Sequence, residues 1–99
     1  MAMYMLYRSK SKSGKEMDEL REKFQEIYDR HNVNIIGFWV NAEDENEVFY
    51  LSKYKDENDY KKKVESLHND EEYVRLGKRL EEVRTSIEST KLLPMMAEA

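Results

Sequence analysis

The stretch that decides the fold is IIGFWVNAEDENEVFYLSKY, residues 35–54. Two apolar, aromatic-rich runs flank a short loop of acids and asparagines, NAEDEN, which is the pattern of a β-hairpin. In the first run Ile35, Gly37 and Trp39 alternate with Ile36, Phe38 and Val40. In the second, Val48, Tyr50, Ser52 and Tyr54 alternate with Phe49, Leu51 and Lys53. An antiparallel sheet with one wet face alternates apolar with polar side chains. These runs are apolar on both faces, so both faces of the sheet need cover.

Working outward from the hairpin, MYMLYRS at 3–9 predicts a short first strand. Ser13 and Glu16 have capping-box spacing and open a helix. Its stripe of Met17, Leu20, Phe24, Ile27, Tyr28 and His31 recurs at steps of three and four. The hairpin strands are expected at Val33–Asn41 and Glu47–Lys55. Asp56 caps a second helix with Tyr60, Val64 and Leu67 on one face. His68-Asn69-Asp70 interrupts it, and Asp70 caps a third helix carrying Tyr73, Leu76, Gly77, Leu80 and Val83. A last strand is expected from Thr85 to Leu93, stopped by Pro94.

The order β-α-β-β-α-α-β is that of an α+β, ferredoxin-like split βαβ with its second helix broken in two. It predicts a four-stranded antiparallel sheet with helices on one face. Trp39, Phe49 and Leu51 left in water on the other would exceed the apolar patch that soluble monomers usually expose. A second copy of the chain is the economical cover, because most oligomers are symmetric homodimers. Two such sheets face to face form a dimeric α+β barrel. The chain, 1–99, reads as a single domain with its core over 3–94 and a frayed tail at 95–99.

Composition excludes several classes. With no cysteine among 99 residues there is no disulfide framework and no thiolate ligand or nucleophile. The net charge of −4 and pI near 5.3 speak against broad phosphate-backbone binding. The uncharged run Val33–Ala42 is about half of what a membrane helix needs. The opening MAMYMLYRSK lacks the features of a signal peptide, so a cytoplasmic protein without membrane association is expected. Seven tyrosines, three phenylalanines and one tryptophan supply much of a thin core.

IIGFW at 35–39, EVFYLSKY at 47–54, HNDEEY at 68–73 and ESTKLLP at 88–94 resemble the NIPSNAP family, of the dimeric α+β barrel superfamily. The similarity runs across residues 3–94. Family members often carry histidine and tryptophan on the third strand, where this chain has Tyr50 and Ser52. They often carry proline after the aspartate of the third helix, where this chain has Glu71. The resemblance implies a homodimer with a cleft between sheet and helices. The superfamily includes cofactor-free monooxygenases, isomerases, haem-degrading enzymes and effector-binding domains. Haem-degrading relatives use an asparagine, a tryptophan and a histidine together. Tyr7 and Tyr54 stand at the first two positions and His68 does not clearly match the third, so haem degradation is not expected.

The candidate catalytic residues are Tyr7, Tyr50 and Tyr54, which share one parity if the first and third strands pair. A phenol beside an apolar cavity donates to a substrate oxygen, or shuttles a proton if its pKa is lowered. Buried tyrosines with satisfied hydroxyls also fit an ordinary core. Trp39, Ser52 and His68 are the candidate substrate-binding residues. His31 is expected to pack or cap rather than catalyse. Gly77 is expected to permit close approach of its helix, and Gly37 to allow close approach or mark a bulge. No Ser/His/Asp spacing, HExxH or phosphate loop stands out. Neither a metal nor a cofactor is called for, since two histidines fall short of a ligand set.

Two functions fit. One is a homodimer binding a small apolar or aromatic molecule in the cleft, with cofactor-free monooxygenase- or isomerase-like chemistry. The alternative is a non-enzymatic assembly or effector-binding module. Nucleic-acid binding through aromatics of strands one and three is not expected, because the chain is acidic and the third strand lacks the basic-Gly-aromatic run.

Overall fold

The structure, a computed structural model, describes residues 2–96; Ala97, Glu98 and Ala99, the end of the expected tail, lie outside the described residues. Its elements are β1 (Met3–Ser11), α1 (Gly14–Arg30), β2 (Asn34–Asn41), β3 (Asp44–Tyr54), α2 (Glu57–His68), α3 (Glu71–Val83) and β4 (Arg84–Leu92). The strands form one antiparallel sheet in the order β2-β3-β1-β4. This is the ferredoxin-like α+β arrangement that the element order predicts.

The helix starts follow local chemistry. Ser13 Oγ accepts from the Glu16 amide at 3.3 Å. The Glu16 carboxylate does not complete the box; it reaches Arg79 of α3 at 3.4 Å instead. Asp56 accepts from the Asp59 amide while Asp59 accepts from the Lys55 amide, two otherwise orphaned donors. Asp70 accepts from the amides of Glu72 and Tyr73. At its far end α1 closes in a Schellman motif: Asn32 takes φ 56°, and Val33 N–H donates to the Tyr28 carbonyl at 2.9 Å.

The core lies between the helices and the facing side chains of β1 and β3. Ile27 is fully buried, and Met3, Met17, Leu20 and Val83 pack with it. Burial of this apolar set against one sheet face is the main favourable contribution to folding.

Two sequence expectations are corrected here. The loop NAEDEN is mostly strand: only Ala42 and Glu43 turn, and the acids extend the ribbon. Asn41 Oδ1 accepts from the Glu43 amide and Asp44 Oδ1 from the Asn46 amide, closing the turn with side chains. The alternation in β2 also breaks. Ile35 pairs with Ser52, but Gly37 pairs with Leu51 and Phe38 with Tyr50, leaving Ile36 as an extra residue. The bulge puts Ile35, Phe38 and Val40 on the helix side and Gly37 with Trp39 on the other.

That second face is open. Tyr4, Leu6, Phe49 and Leu51 are half-buried there, and Trp39 is 51% exposed. The one buried carboxylate among the described residues, Glu47, is fully met. Arg8 donates from Nε at 2.8 Å and Asn41 Nδ2 at 2.8 Å, with Lys10 at 3.7 Å. The Asn41 and Arg8 bonds hold its carboxyl below the ordinary range against the cost of burial.

The glycines differ in what they do. A Cβ on Gly14 would stand 2.4 Å from the Glu45 carbonyl oxygen, because the tip of the hairpin is pinned there by the Gly14 amide donating to Asn46 Oδ1 at 2.8 Å. A Cβ on Gly37 would meet the indole of Trp39, which folds back over it. A Cβ on Gly77 would meet nothing within 4 Å, so the expected close approach of α3 is absent. Opposite signs are therefore expected in urea unfolding. Gly14→Ala should lose about 1–3 kcal/mol, since backbone must shift. Gly77→Ala should gain up to about 1 kcal/mol from helix propensity.

Candidate functional site

Between the sheet and the three helices lies a cleft of about 550 Å³. Its floor follows from strand register. Tyr7 opposes Tyr50, Met5 opposes Ser52 and Met3 opposes Tyr54, so all six face the helices. Its roof is formed where α2 and α3 part at Asn69-Asp70, and the bare backbone of Gly77 leaves the space beneath α3 unfilled.

Aromatic rings order the floor. Tyr7 stacks on Tyr50 with centroids 4.7 Å apart, and Phe38 stacks on the other side of Tyr50 at 5.1 Å. Tyr54 meets Tyr60 edge-on at 5.0 Å. From the helices Tyr73 sits edge-on to Phe24 at 5.8 Å and to His68 at 5.8 Å. Fixed rings of this kind offer a flat apolar ligand both faces and edges at little entropic cost.

The polar groups of the cleft are few and mostly neutral. Burial pushes the Tyr50 phenol up to about 12, with the Arg84 cation opposing the rise. Burial likewise raises Tyr7, Tyr28, Tyr54 and Tyr73 above the ordinary phenol value. The sequence reading allowed a phenol of lowered pKa to shuttle protons; every shift among these runs the other way, because a phenolate would be desolvated. At neutral pH these groups donate hydrogen bonds and do not act as bases. Ser52 Oγ is buried on the floor. It lies near the Tyr54 phenol and opposes that group's rise, yet no hydrogen bond of good geometry reaches it.

His68 stands at the mouth, exposed, on the last turn of α2. Its Nδ1 lies 2.9 Å from the Val64 carbonyl. A carbonyl only accepts, so Nδ1 is the donor in this contact and Nε2 is the ring nitrogen left for a ligand. Among the described residues lining the cleft, His68 is the one imidazole.

Tyr7, Tyr50, Tyr54, Ser52 and His68 are thus brought together in one cleft. Trp39 is not. The β2 bulge turns it to the open face beside Phe49, so it forms no wall of this site. Sequence reasoning missed Tyr28, Tyr73 and Arg84, which also line the cleft. The two tyrosines sat on helix stripes where the pattern signals only core. Arg84 sits at the junction of α3 and β4, where no periodicity marks it.

Sequence reading also missed a Ser/His/Asp chain. His31 Nδ1 lies 2.6 Å from Ser66 Oγ and its Nε2 lies 2.7 Å from Asp70 Oδ2. Arg30 donates to the same Asp70 oxygen at 2.8 Å. The His31 and Arg30 bonds hold the Asp70 carboxyl well below the usual range. Among the described residues, neither Ser66 nor His31 lines the cleft or the three smaller cavities around it, and Asp70 is already occupied capping α3. The chain fastens the end of α1 to α2 and α3, and so sets the height of the cleft's roof.

Fold and site together define a ferredoxin-like α+β protein with an aromatic cleft between its sheet and its helices. The family model for NIPSNAP matches residues 4–97, and the chain belongs to the NIPSNAP family. A NIPSNAP family protein from Agrobacterium tumefaciens superposes with a TM-score of 0.82 at 23% identity, covering 96% of this chain and 94% of its own. An uncharacterized NIPSNAP-like domain protein from Burkholderia xenovorans gives 0.84 at 16% identity, covering 99% of this chain and 89% of its own. SnoaB, a cofactor-independent oxygenase from Streptomyces nogalater, gives 0.75 at 8% identity, covering 97% and 95%. These likenesses establish the fold. None of the curated proteins matches the chain. No helix among the described residues is long and apolar enough to cross a membrane.

The raised phenols carry a pH signature. A phenol that ionises near 10 when unfolded but higher when folded stabilises the fold fully below about 10. That contribution is lost as the pH rises from there through the folded-state values. In spectrophotometric titration the cleft tyrosines should ionise only above about 10, together with unfolding. Ionisation of all seven in one step near 10, with the fold intact, would contradict the buried cluster.

Proposed function

We propose that the cleft binds a small aromatic molecule bearing an oxygen function, and that the protein works on it without a cofactor. One observation carries this reading. Ser52 Oγ is 1% exposed and without a well-formed hydrogen bond on the floor of a cavity of about 550 Å³. A buried hydroxyl left unmade costs about 1–3 kcal/mol, and a ligand oxygen at this spot would recover it.

The chemistry follows from the charges. His68 Nε2 takes a proton from an acidic O–H or C–H of the ligand. Neutral phenols of Tyr7, Tyr50 and Tyr54 donate to the oxygen on which negative charge develops. This deprotonation is a first step common to cofactor-free oxygenation and to isomerisation. The likeness of fold to a cofactor-independent oxygenase supports the choice of chemistry. A non-catalytic effector-binding module is the second reading, favoured by the fact that no phenol is poised as a base.

The open sheet face belongs to the same proposal: a second copy covers Leu6, Phe49, Leu51 and Trp39, closing a barrel. Sedimentation at micromolar concentration should give a dimer, and Leu51→Glu a folded monomer. A wild-type chain that stays monomeric and folded would remove the barrel.

Ligand binding is tested by calorimetry with naphthols and naphthoquinols. Binding in the micromolar to millimolar range is expected. Gly77→Leu, which fills the open space under α3, should abolish it without lowering the urea midpoint. No binder at millimolar concentration, or unchanged binding by Gly77→Leu, would sink the cleft reading.

A further inference from the structure

We infer that the ligand of the cleft is an aromatic carboxylate, and that Arg84 and Ser9 form the subsite for its anionic group. The inference rests on the cleft reading above and narrows it to a substrate class. Behind the cleft lies a second, smaller chamber of about 40 Å³. The two share Phe24, Tyr28, Ile35, Tyr50, Leu80 and Arg84 as lining, so they adjoin. One water needs roughly 10–15 Å³ of such volume. The chamber therefore has room for a planar carboxylate and not for a second ring.

Its polar groups suit an anion. Arg84 opens β4 directly after α3, and its backbone N–H is tied to the Leu80 carbonyl, which aims the residue from a fixed point. The side chain is half-buried, and among the described residues no carboxylate lies within ion-pair distance of it. Arg8, Arg21, Arg30 and Arg79 all pair with carboxylates. The Arg84 charge does reach the phenols of Tyr50 and Tyr73. Across the chamber Ser9 Oγ is 1% exposed and has no hydrogen-bond partner. A cation without an anion and a hydroxyl without a partner thus line one small space.

The other charged groups nearby leave this pairing intact. Arg21 also lines the chamber but is held by Asp18 at 2.9 Å and Glu22 at 3.9 Å. Lys78 and Glu81 line the outer cleft from exposed positions of α3. Glu81, the cleft's own carboxylate, makes no ion pair with Arg84. A ligand carboxylate entering the chamber would accept charge-assisted bonds from Arg84 and one from Ser9. Its ring would lie in the outer cleft along Tyr7 and Tyr50. A neutral ligand of the same shape would leave the guanidinium unmatched, and charge-assisted bonds are roughly twice as strong as neutral ones.

The test compares naphthoate with naphthamide by calorimetry on the full chain at neutral pH. Naphthoate should bind about tenfold tighter or more. Arg84→Gln should erase the preference while leaving naphthamide within about twofold. Arg84→Lys should keep part of it, and Ser9→Ala should weaken naphthoate alone. Equal affinity of the two ligands for the wild type, or an equal loss of both in Arg84→Gln, overturns the anion subsite and leaves the cleft standing. If neither ligand binds, the cleft reading falls and this inference with it. The wild-type comparison decides on its own should Arg84→Gln fail to fold.

Discussion

A single sheet with apolar side chains on both faces and helices on only one is the constraint from which the rest follows. The helix-covered face becomes the core, because Ile27, Leu20 and Val83 have Met3, Met5 and Val48 to bury against. The other face keeps Phe49, Leu51 and Trp39 at the surface and holds its one buried carboxylate inside a closed set of hydrogen bonds. The bulge at Ile36 sorts β2 between the two. It sends Phe38 to stack on Tyr50 and turns Trp39 away.

The cleft is what the helices fail to fill. α2 and α3 are separate helices because Asp70 caps a new start, and the gap beneath them stays open where Gly77 has no side chain. What surrounds the gap is mostly aromatic and apolar, with its charges on Lys78, Glu81 and Arg84. In such a medium a phenol resists ionisation and a hydroxyl without a partner is costly, while a lone guanidinium acts over a long range. On the proposed reading, the same low polarity that protects the core makes the few donors of the cleft selective for ligand oxygens.

Much of the fold was legible in the chain. Ser13, Asp56 and Asp70 announce helix starts through the geometry of short oxygen-bearing side chains. The steps of three and four in α1 and α3 mark their buried faces. The grouping of Tyr7, Tyr50, Ser52 and Tyr54 was legible too, since a period of two holds along β1 and β3 where no bulge intervenes. Trp39 was misplaced because one extra residue reverses the parity of everything after it; Gly37 was read as a close approach or a bulge, and the register shift falls beside it. Gly77 was misread because a missing side chain means close packing or empty space according to what stands opposite.

Local sequence, then, determined the order of elements, their caps and the faces of β1 and β3, because these depend on residues within a few positions of one another. Tertiary structure alone decided that His31 would join Ser66 and Asp70, 35 and 39 positions away. It likewise decided that Arg84 and Ser9 would share one small chamber. Such meetings are set by how helices dock on a twisted sheet, a matter of packing distances that no spacing along the chain encodes.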